Sequence, residues 1–250
     1  MKRRRKTIIA GPLVKIVEYT PPLPRDNQKT RRIRQKATKE ARKLLNRSHA
    51  YARLEEKLAT NFSSRDYFIT FTYRNGEEPA NRTEAKEHRA QYIRRLRDSR
   101  KRRGQPLCWI MAIENKHGAG RYHFHAVINA AGYASDMEEI ESLWEHGHVH
   151  IERLFDAAHN CGDDFNSWLD VACYLTKERP EDGPDLTPNG AQIYSCSRNL
   201  KQPIVKTEWI NDGDQIDIPE EAYGIEHHGS NNPFYMIEYY RYLTAPLACS

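Results

Sequence analysis

The chain has 250 residues, of which 29% are charged and 38% hydrophobic, and its formal net charge is +5. This length can form one domain of ordinary size with extensions, or two small domains. No apolar run approaches the roughly 18 residues that a membrane span needs, and the start of the chain does not have the pattern of a secretory signal. The five cysteines are scattered without the paired spacing of a zinc site or a disulfide framework. These features predict a soluble cytoplasmic protein with no membrane partner.

Charge is distributed unevenly along the chain. Residues 1–60 carry 18 Lys or Arg against 5 Asp or Glu, a balance of +13, whereas the rest carries 21 against 29, a balance of −8. A basic segment suits a polyanion because each neutralised phosphate releases condensed counterions, although a solvated helix has the same composition, and acidic partners or anionic membranes also attract such segments. We predict a basic, largely helical N-terminal arm over residues 1–62 that meets nucleic acid, and an acidic C-terminal extension over residues 207–250.

The middle of the chain opens with a strand and a basic helix. Tyr67 to Tyr73 (YFITFTY) is dense in aromatic and β-branched residues and ends at the turn signal Arg74-Asn75-Gly76, so it predicts a central strand. Residues 82–103 hold ten Lys or Arg with apolar residues at helical spacing, which predicts a surface helix. The basic side chains of its second half can grip a phosphate backbone or form a solvated face: Arg94, Arg95, Arg97, Arg100, Lys101, Arg102 and Arg103.

The elements that follow complete an α+β pattern. The apolar runs 107–113 and 122–128 flank a turn-like stretch and predict a β-hairpin. Ser135 and Glu138 form a capping box for a helix that ends near His146, before Gly147. A strand over 148–154 and an amphipathic helix over 165–178 follow. This order predicts a mostly antiparallel sheet flanked by helices.

The hairpin carries a candidate metal site. His123 and His125 alternate in one strand, so both imidazole rings project from the same face. A turn centred on residues 118 and 119 places Glu114 directly opposite His123, and cross-strand partners share a face. Two imidazoles and one carboxylate with open positions suit Mg²⁺ or Mn²⁺ gripping a phosphate oxygen. A register slip of one residue would break this arrangement.

The amphipathic helix carries a candidate nucleophile. Tyr174 and Lys177 are three residues apart and therefore lie side by side on a helix, away from its apolar stripe. A phenol has a pKa of about 10, and a nearby cation favours its ionised form. We therefore name Tyr174 and Lys177 as candidate catalytic residues.

Three motifs, in order and in approximate spacing, resemble those of the HUH endonucleases that initiate rolling-circle replication. These are FITFTY at residues 68–73, HFHAVIN at 123–129 and YLTKE at 174–178, and the segment YSCSRNLKQP at 194–203 also looks like replication proteins of phages and plasmids. The resemblance implies a ferredoxin-like, five-stranded antiparallel sheet over a catalytic domain at residues 63–206.

The resemblance also implies the reaction and its partners. Tyr174 would attack a phosphate of single-stranded DNA at a replication origin, leaving a 3′ hydroxyl and a 5′-phosphotyrosine. A host helicase and a host polymerase would be the partners in replication from this nick. Some relatives carry two tyrosines one helical turn apart, whereas Asp170 and Glu178 occupy the positions four residues before and after Tyr174. This departure predicts a single-tyrosine enzyme and leaves the second strand transfer open.

Alternatives remain at this point. His148 and His150 form a second histidine pair on a predicted strand, without an obvious opposing carboxylate. A transposase or relaxase would use the same chemistry, although no helicase-type phosphate loop is present. A non-catalytic nucleic-acid-binding protein could share the scaffold, and a metal-dependent hydrolase could use the histidines to activate water.

Overall fold

The computed structural model of the chain describes residues 3–21, 39–115, 120–155, 166–177, 194–211, 213–232 and 235–245. Two antiparallel five-stranded sheets and four helices occupy these ranges, so the predicted α+β class is confirmed, and the architecture is consistent with a ferredoxin-like HUH fold. No helix within the described ranges is long and apolar enough to cross a bilayer.

The elements in chain order are β1 (Arg3–Ala10), β2 (Leu13–Tyr19), α1 (Lys39–Asn61), β3 (Tyr67–Tyr73), α2 (Arg82–Arg102), β4 (Trp109–Glu114), β5 (His123–Ile128), α3 (Asp136–Ser142), β6 (Gly147–Arg153), α4 (Trp168–Leu175), β7 (Tyr194–Cys196), β8 (Ile204–Ile210), β9 (Tyr223–Asn232) and β10 (Tyr235–Leu243).

The chain divides into two compact units. The terminal unit combines Met1–Thr60 with Lys201–Pro246, and the central unit holds Asn61–Leu200. The sheet of the terminal unit has the strand order β8-β1-β2-β10-β9, and that of the central unit has the order β6-β3-β5-β4-β7. Each sheet belongs to one unit.

The terminal unit differs from the predicted arm and extension. Residues 3–19 form the strand pair β1 and β2 instead of a helical arm, and the acidic end supplies β8, β9 and β10 of the same sheet. The physical reason is pairing across the chain, because Arg3–Ile9 of β1 runs antiparallel to Ile204–Ile210. Helix α1 begins at Lys39, and residues 22–38 of the predicted arm lie outside the described residues.

Helix α1 packs closely on the sheet of its own unit. A Cβ added to Gly11, whose φ is +57°, would lie 2.1 Å from the carbonyl oxygen of Ala59, so only glycine fits between the β1–β2 turn and the helix. Lys15 is buried in β2, and its Nζ lies 2.6 Å from Glu55 Oε2 and 3.1 Å from Glu56 Oε1. A buried ammonium group requires such partners because burial of an unpaired charge is very costly.

The central unit has its apolar core on one face of the sheet. Helix α2 covers this face with Tyr92, Ile93 and Leu96, which pack on the inward side chains of β3. The helix starts as expected, and Asn81 caps it by accepting hydrogen bonds from the N–H groups of Thr83 and Glu84. The opposite face of this sheet combines buried apolar side chains, such as Phe68 and Val127, with polar residues of β3, β4 and β5.

Helix α3 is shorter than the sequence predicts. It ends at Ser142 because the chain leaves the helix to bury Trp144, whose indole N–H donates to the carbonyl oxygen of Thr72 at 3.0 Å. Ser135 stands at the N-cap position, but its side chain makes no capping hydrogen bond, so the capping box with Glu138 does not form. Gly147 instead starts β6, where an added Cβ would lie 1.9 Å from the same Thr72 oxygen.

Candidate metal and nucleophile site

The β4–β5 hairpin brings the predicted metal-binding side chains together. Glu114 pairs directly with His123, which confirms the predicted register, while residues 116–119 of the turn lie outside the described residues. His125 lies two positions along β5, on the same face. One ligand atom from each of the three side chains lies within 4.8 Å of the others. We call Glu114, His123 and His125 the triad.

Glu114 is the centre of the triad. Its Oε2 lies 2.9 Å from His125 Nε2, 3.2 Å from His123 Nε2 and 3.0 Å from Lys177 Nζ. Burial alone would raise the pKa of the Glu114 carboxyl, but the hydrogen bonds from the two histidines and Lys177 outweigh it and hold this pKa well below its usual range. The carboxylate is therefore charged at neutral pH and offers an oxygen ligand for a hard cation.

Each imidazole of the triad is oriented by a second contact at Nδ1. His123 Nδ1 lies 3.2 Å from the carbonyl oxygen of Arg121. His125 Nδ1 lies 3.1 Å from Thr70 Oγ1. Burial lowers the pKa of His125 and so favours the neutral ring, which is the form that binds a metal. Both Nε2 atoms thus point to Glu114 with fixed ring orientation.

Strand β3 contributes two side chains that sequence reasoning left without a catalytic role. Thr70 pairs with His125 across β3 and β5, and the ring of Phe68 stacks on the imidazole of His125 at a centroid distance of 5.9 Å. The alternation within YFITFTY is the signal that groups Phe68 with Thr70 on one face. That signal does not identify β5 as the neighbouring strand.

The candidate nucleophile lies beside the triad. The ring of Tyr174 meets the imidazole of His125 edge-on at 4.8 Å between centroids, and it meets the ring of Phe68 at 5.5 Å. Lys177 Nζ lies over the face of the Tyr174 ring, 3.6 Å from its centroid. Lys177 thus contacts both Tyr174 and Glu114, and the structure brings together all five of the predicted site residues.

The local backbone around Tyr174 is not the long helix that the sequence predicts. Helix α4 ends at Leu175, and the hydroxyl of Thr176 donates to the carbonyl oxygen of Ala172 at 2.7 Å. Lys177 lies in the turn that follows, where its N–H donates to the carbonyl oxygen of Tyr174 at 3.2 Å. This turn, and not helical spacing, keeps the two side chains adjacent. The predicted helix ends at residues 165 and 178 lie outside the described residues.

The second histidine pair lies on the same face of the sheet but at its edge. Strand β6 pairs with β3, so His148 is opposite Thr72 and His150 is opposite Thr70. Both histidines are exposed, and His150 Nε2 lies 2.5 Å from Glu152 Oε1. Among the described residues, the triad is the one group of three potential ligands that comes together. The geometry therefore favours His123 and His125 over this pair.

One residue of the basic helix was assigned to the wrong environment. Arg100 is fully buried and bonds to Asp136 Oδ1 at 2.9 Å and to the carbonyl oxygen of Asn129 at 2.7 Å, so it cannot reach a phosphate backbone. Arg95 forms an ion pair with Glu145 at 2.6 Å. The other cations of this segment are exposed: Arg94, Arg97, Lys101, Arg102 and Arg103.

Comparison with known proteins gives a family match in the central region. The sequence model of the family described as Replication-associated protein ORF2/gene 2 protein matches residues 66–178, the stretch that runs from the start of β3 to just past Lys177. This match fits a rolling-circle replication initiator, supports a role in DNA replication and confirms the resemblance drawn from the three motifs. Neither the curated proteins nor the solved structures gave a match to the chain.

Proposed function

We propose, on the premise that residues 66–178 form a domain of this replication-associated protein family, that the protein initiates rolling-circle replication by nicking and rejoining single-stranded DNA at an origin. The observation that carries this proposal is the contact of one tyrosine and one lysine with a two-histidine, one-carboxylate triad. The catalytic domain then corresponds to the central unit, Asn61–Leu200, which ends before the predicted bound at residue 206, and it has a single nucleophile at Tyr174.

The triad fits a divalent cation by its donor chemistry. Two neutral imidazoles and one carboxylate leave coordination positions open for phosphate oxygens, as Mg²⁺ or Mn²⁺ sites on a phosphate substrate require. Glu114, His123 and His125 would hold the ion. Once bound, it would polarise the scissile phosphate and neutralise charge that develops on it.

Tyr174 is the nucleophile of the proposed reaction. Its phenol loses a proton, and the phenolate oxygen forms a bond to phosphorus as the bond from phosphorus to the 3′ oxygen breaks. The leaving 3′ oxygen takes up a proton and becomes the hydroxyl that primes a polymerase. The phosphodiester energy is kept in the 5′-phosphotyrosine, so reversal of the step joins DNA without ATP.

Lys177 supports this step as a fixed positive charge. Its ammonium group lies against both the Tyr174 ring and the Glu114 carboxylate. A cation at this place favours the phenolate and the negatively charged transition state. Asp170 occupies the position four residues before Tyr174, and Glu178, four residues after it, lies outside the described residues. A second strand transfer would therefore need another nucleophile or a second copy of the chain.

The proposal predicts a covalent adduct on one tyrosine. The protein is mixed with single-stranded origin DNA and Mn²⁺, resolved on a denaturing gel, and any adduct is mapped by mass spectrometry. We expect a nucleotide on Tyr174, and we expect no adduct with Tyr174→Phe or after removal of the metal with EDTA. Tyr223→Phe, a change of the same kind at an exposed position in the terminal unit, is expected to leave the adduct intact.

Other outcomes distinguish the alternatives. Binding of origin DNA without any adduct would contradict the nuclease proposal and favour a binding protein. Cleavage without an adduct would contradict the role of Tyr174 and favour a hydrolase that activates water.

A further inference from the structure

A cleft of about 850 Å³ lies at the end of α2 and beside the edge strand of the central sheet. It is separate from the triad. Trp109 contributes to its wall and lies five residues before Glu114 in β4, so the two side chains project from opposite faces of the sheet. The side chains that the argument uses are Arg97, Lys101, Gln105, Trp109, Arg198 and Asn199.

The cleft is strongly basic. Arg97, Lys101 and Arg198 line it, all three are exposed, and no acidic side chain lines it. Within the described part of the chain, none of these three cations forms an ion pair. Lysine and arginine in the last turn of a helix complement its dipole, which accounts for Lys101 but not for Arg97, one turn earlier. It does not account for Arg198, which comes from a distant segment of the chain and meets them at the same cleft.

The segment that carries Arg198 is fixed against β4. Ser197 N–H donates to the carbonyl oxygen of Trp109 at 2.9 Å, and Trp109 N–H donates to Ser197 Oγ at 3.1 Å. Asn199 Nδ2 donates to the carbonyl oxygen of Leu107 at 3.2 Å. These bonds hold the backbone at Arg198 between two anchored neighbours, so the segment does not have to be ordered when a ligand binds, which lowers the entropy cost of binding.

The side chains that line the cleft suit a polymer that carries both phosphates and planar bases. Three cations in a cleft that no acidic side chain lines attract phosphates, and the Trp109 ring offers a surface on which a base can stack. The volume lies in the range of ordinary ligand sites. We propose that this cleft binds a stretch of DNA outside the segment that is nicked, with phosphates on Arg97, Lys101 and Arg198. The proposal rests on the proposed function only for the choice of DNA as the polymer.

The test compares two variants that remove the same charge. The full-length chain carries either Arg97→Gln, Lys101→Gln and Arg198→Gln, or the matched control Lys86→Gln, Arg94→Gln and Arg102→Gln, whose three positions are also exposed on α2 but do not line the cleft. Binding of a fluorescent single-stranded oligonucleotide is measured by anisotropy in EDTA over a range of salt concentrations. The dependence of log Kd on log salt is the main readout.

We expect the cleft variant to bind at least about tenfold more weakly and to lose about 2 from the salt slope, since each single-strand phosphate contact contributes about 0.7. The control is expected to lose less than half of that slope. Equal losses in the two variants would overturn the proposal, because they would mean a general effect of net charge. The single variant Arg198→Gln, which changes one exposed side chain, should lose about 0.7 of slope.

Two further arms separate this proposal from others. A deoxynucleoside triphosphate that displaces the oligonucleotide as well as an unlabelled oligonucleotide does would overturn it in favour of a mononucleotide site. Adduct formation on a short oligonucleotide that covers only the nick site should be unchanged in the cleft variant. Because binding is measured without metal, a chain that forms no adduct at all would refute the proposed function and leave this binding result valid.

Discussion

One hydroxyl group contacts His125 on the side of the ring away from Glu114. Thr70 Oγ1 lies 3.1 Å from His125 Nδ1, and the opposite nitrogen of the ring faces Glu114. Outer hydrogen bonds of this kind fix the tautomer and the rotation of a metal-binding imidazole. Thr70 is therefore a positioning residue in the proposed mechanism, since it acts on the metal only through His125.

We expect Thr70→Val to lower Mn²⁺ affinity by about 10- to 100-fold, as the loss of such outer partners does. The substitution keeps the shape of the side chain and its β-branching but removes the hydroxyl. Thr70→Ser should restore affinity, and Thr72→Val is the matched control, because the Thr72 hydroxyl donates to the His148 carbonyl oxygen instead of a triad ring. Isothermal titration with Mn²⁺ measures the effect, and an unchanged affinity for Thr70→Val would contradict it.

The triad was predictable from sequence because its geometry is local. A short hairpin fixes the register of its two strands, so Glu114 and His123 could be paired by residue number alone. The contacts of Thr70 and Phe68 with His125 were not predictable in the same way. They depend on the pairing of β3 with β5, two strands separated in the chain by α2 and β4, and pairing between distant segments has no sequence signal of its own.

Among the elements, a buried ionic cluster connects α2, the end of β5 and α3. Arg100 is fully buried, and its guanidinium group donates to Asp136 Oδ1 and to Asn129. The other carboxylate oxygen of Asp136 accepts the N–H of Ala131 at 2.6 Å. These bonds hold the start of α3, the place where the sequence predicts a capping box that the structure lacks.

Arg100→Met should destabilise the central unit by about 3–5 kcal/mol, since it leaves the buried carboxylate of Asp136 without its partner. The double variant Arg100→Met with Asp136→Asn should recover part of this loss because no unpaired charge remains. Arg94→Met, at an exposed position of the same helix, should change stability by less than about 0.5 kcal/mol. Urea unfolding followed by circular dichroism gives these values, and a loss in Arg100→Met no larger than that in Arg94→Met would refute the expectation.

Element boundaries were predictable where local signals agree with tertiary packing. The bounds of β3 match the aromatic run, and α2 closely matches its predicted range, because caps and apolar spacing act along with burial. Helix α3 ends early because burying Trp144 outweighs continued helix propensity. The charged residue Arg100 was assigned to the surface because sequence alone does not disclose that Asp136 is its buried partner.

For the whole molecule, the division into units follows contacts that link the two ends of the chain. Strand β8 pairs with β1, and β10 pairs with β2, across more than 190 residues. The composition of each end, taken alone, predicts an N-terminal arm and a C-terminal extension. Only the pairing shows that Arg3–Ala10 and Ile204–Ile210 complete one sheet.

We expect a fragment of residues 61–200 to fold and to bind Mn²⁺ with the affinity of the full chain. The fragment contains the whole sheet β6-β3-β5-β4-β7, its core and the triad. Titration calorimetry on both proteins measures the affinity, and Glu114→Ala in either should abolish binding or weaken it strongly. A folded fragment with much weaker binding would show that the terminal unit supports the site, and unchanged affinity in Glu114→Ala would remove that residue from the ligand set.

The sheet formed by the two ends of the chain also affects the order in which the two units can fold during translation. Strands β1 and β2 are made first, yet their neighbours β8 and β10 are made last. The central unit is a single continuous stretch that can fold while translation proceeds. A ribosome that stops after Leu200 but before β8 would therefore release a chain in which the central unit is complete and strands β1 and β2 lack their neighbours β8 and β10.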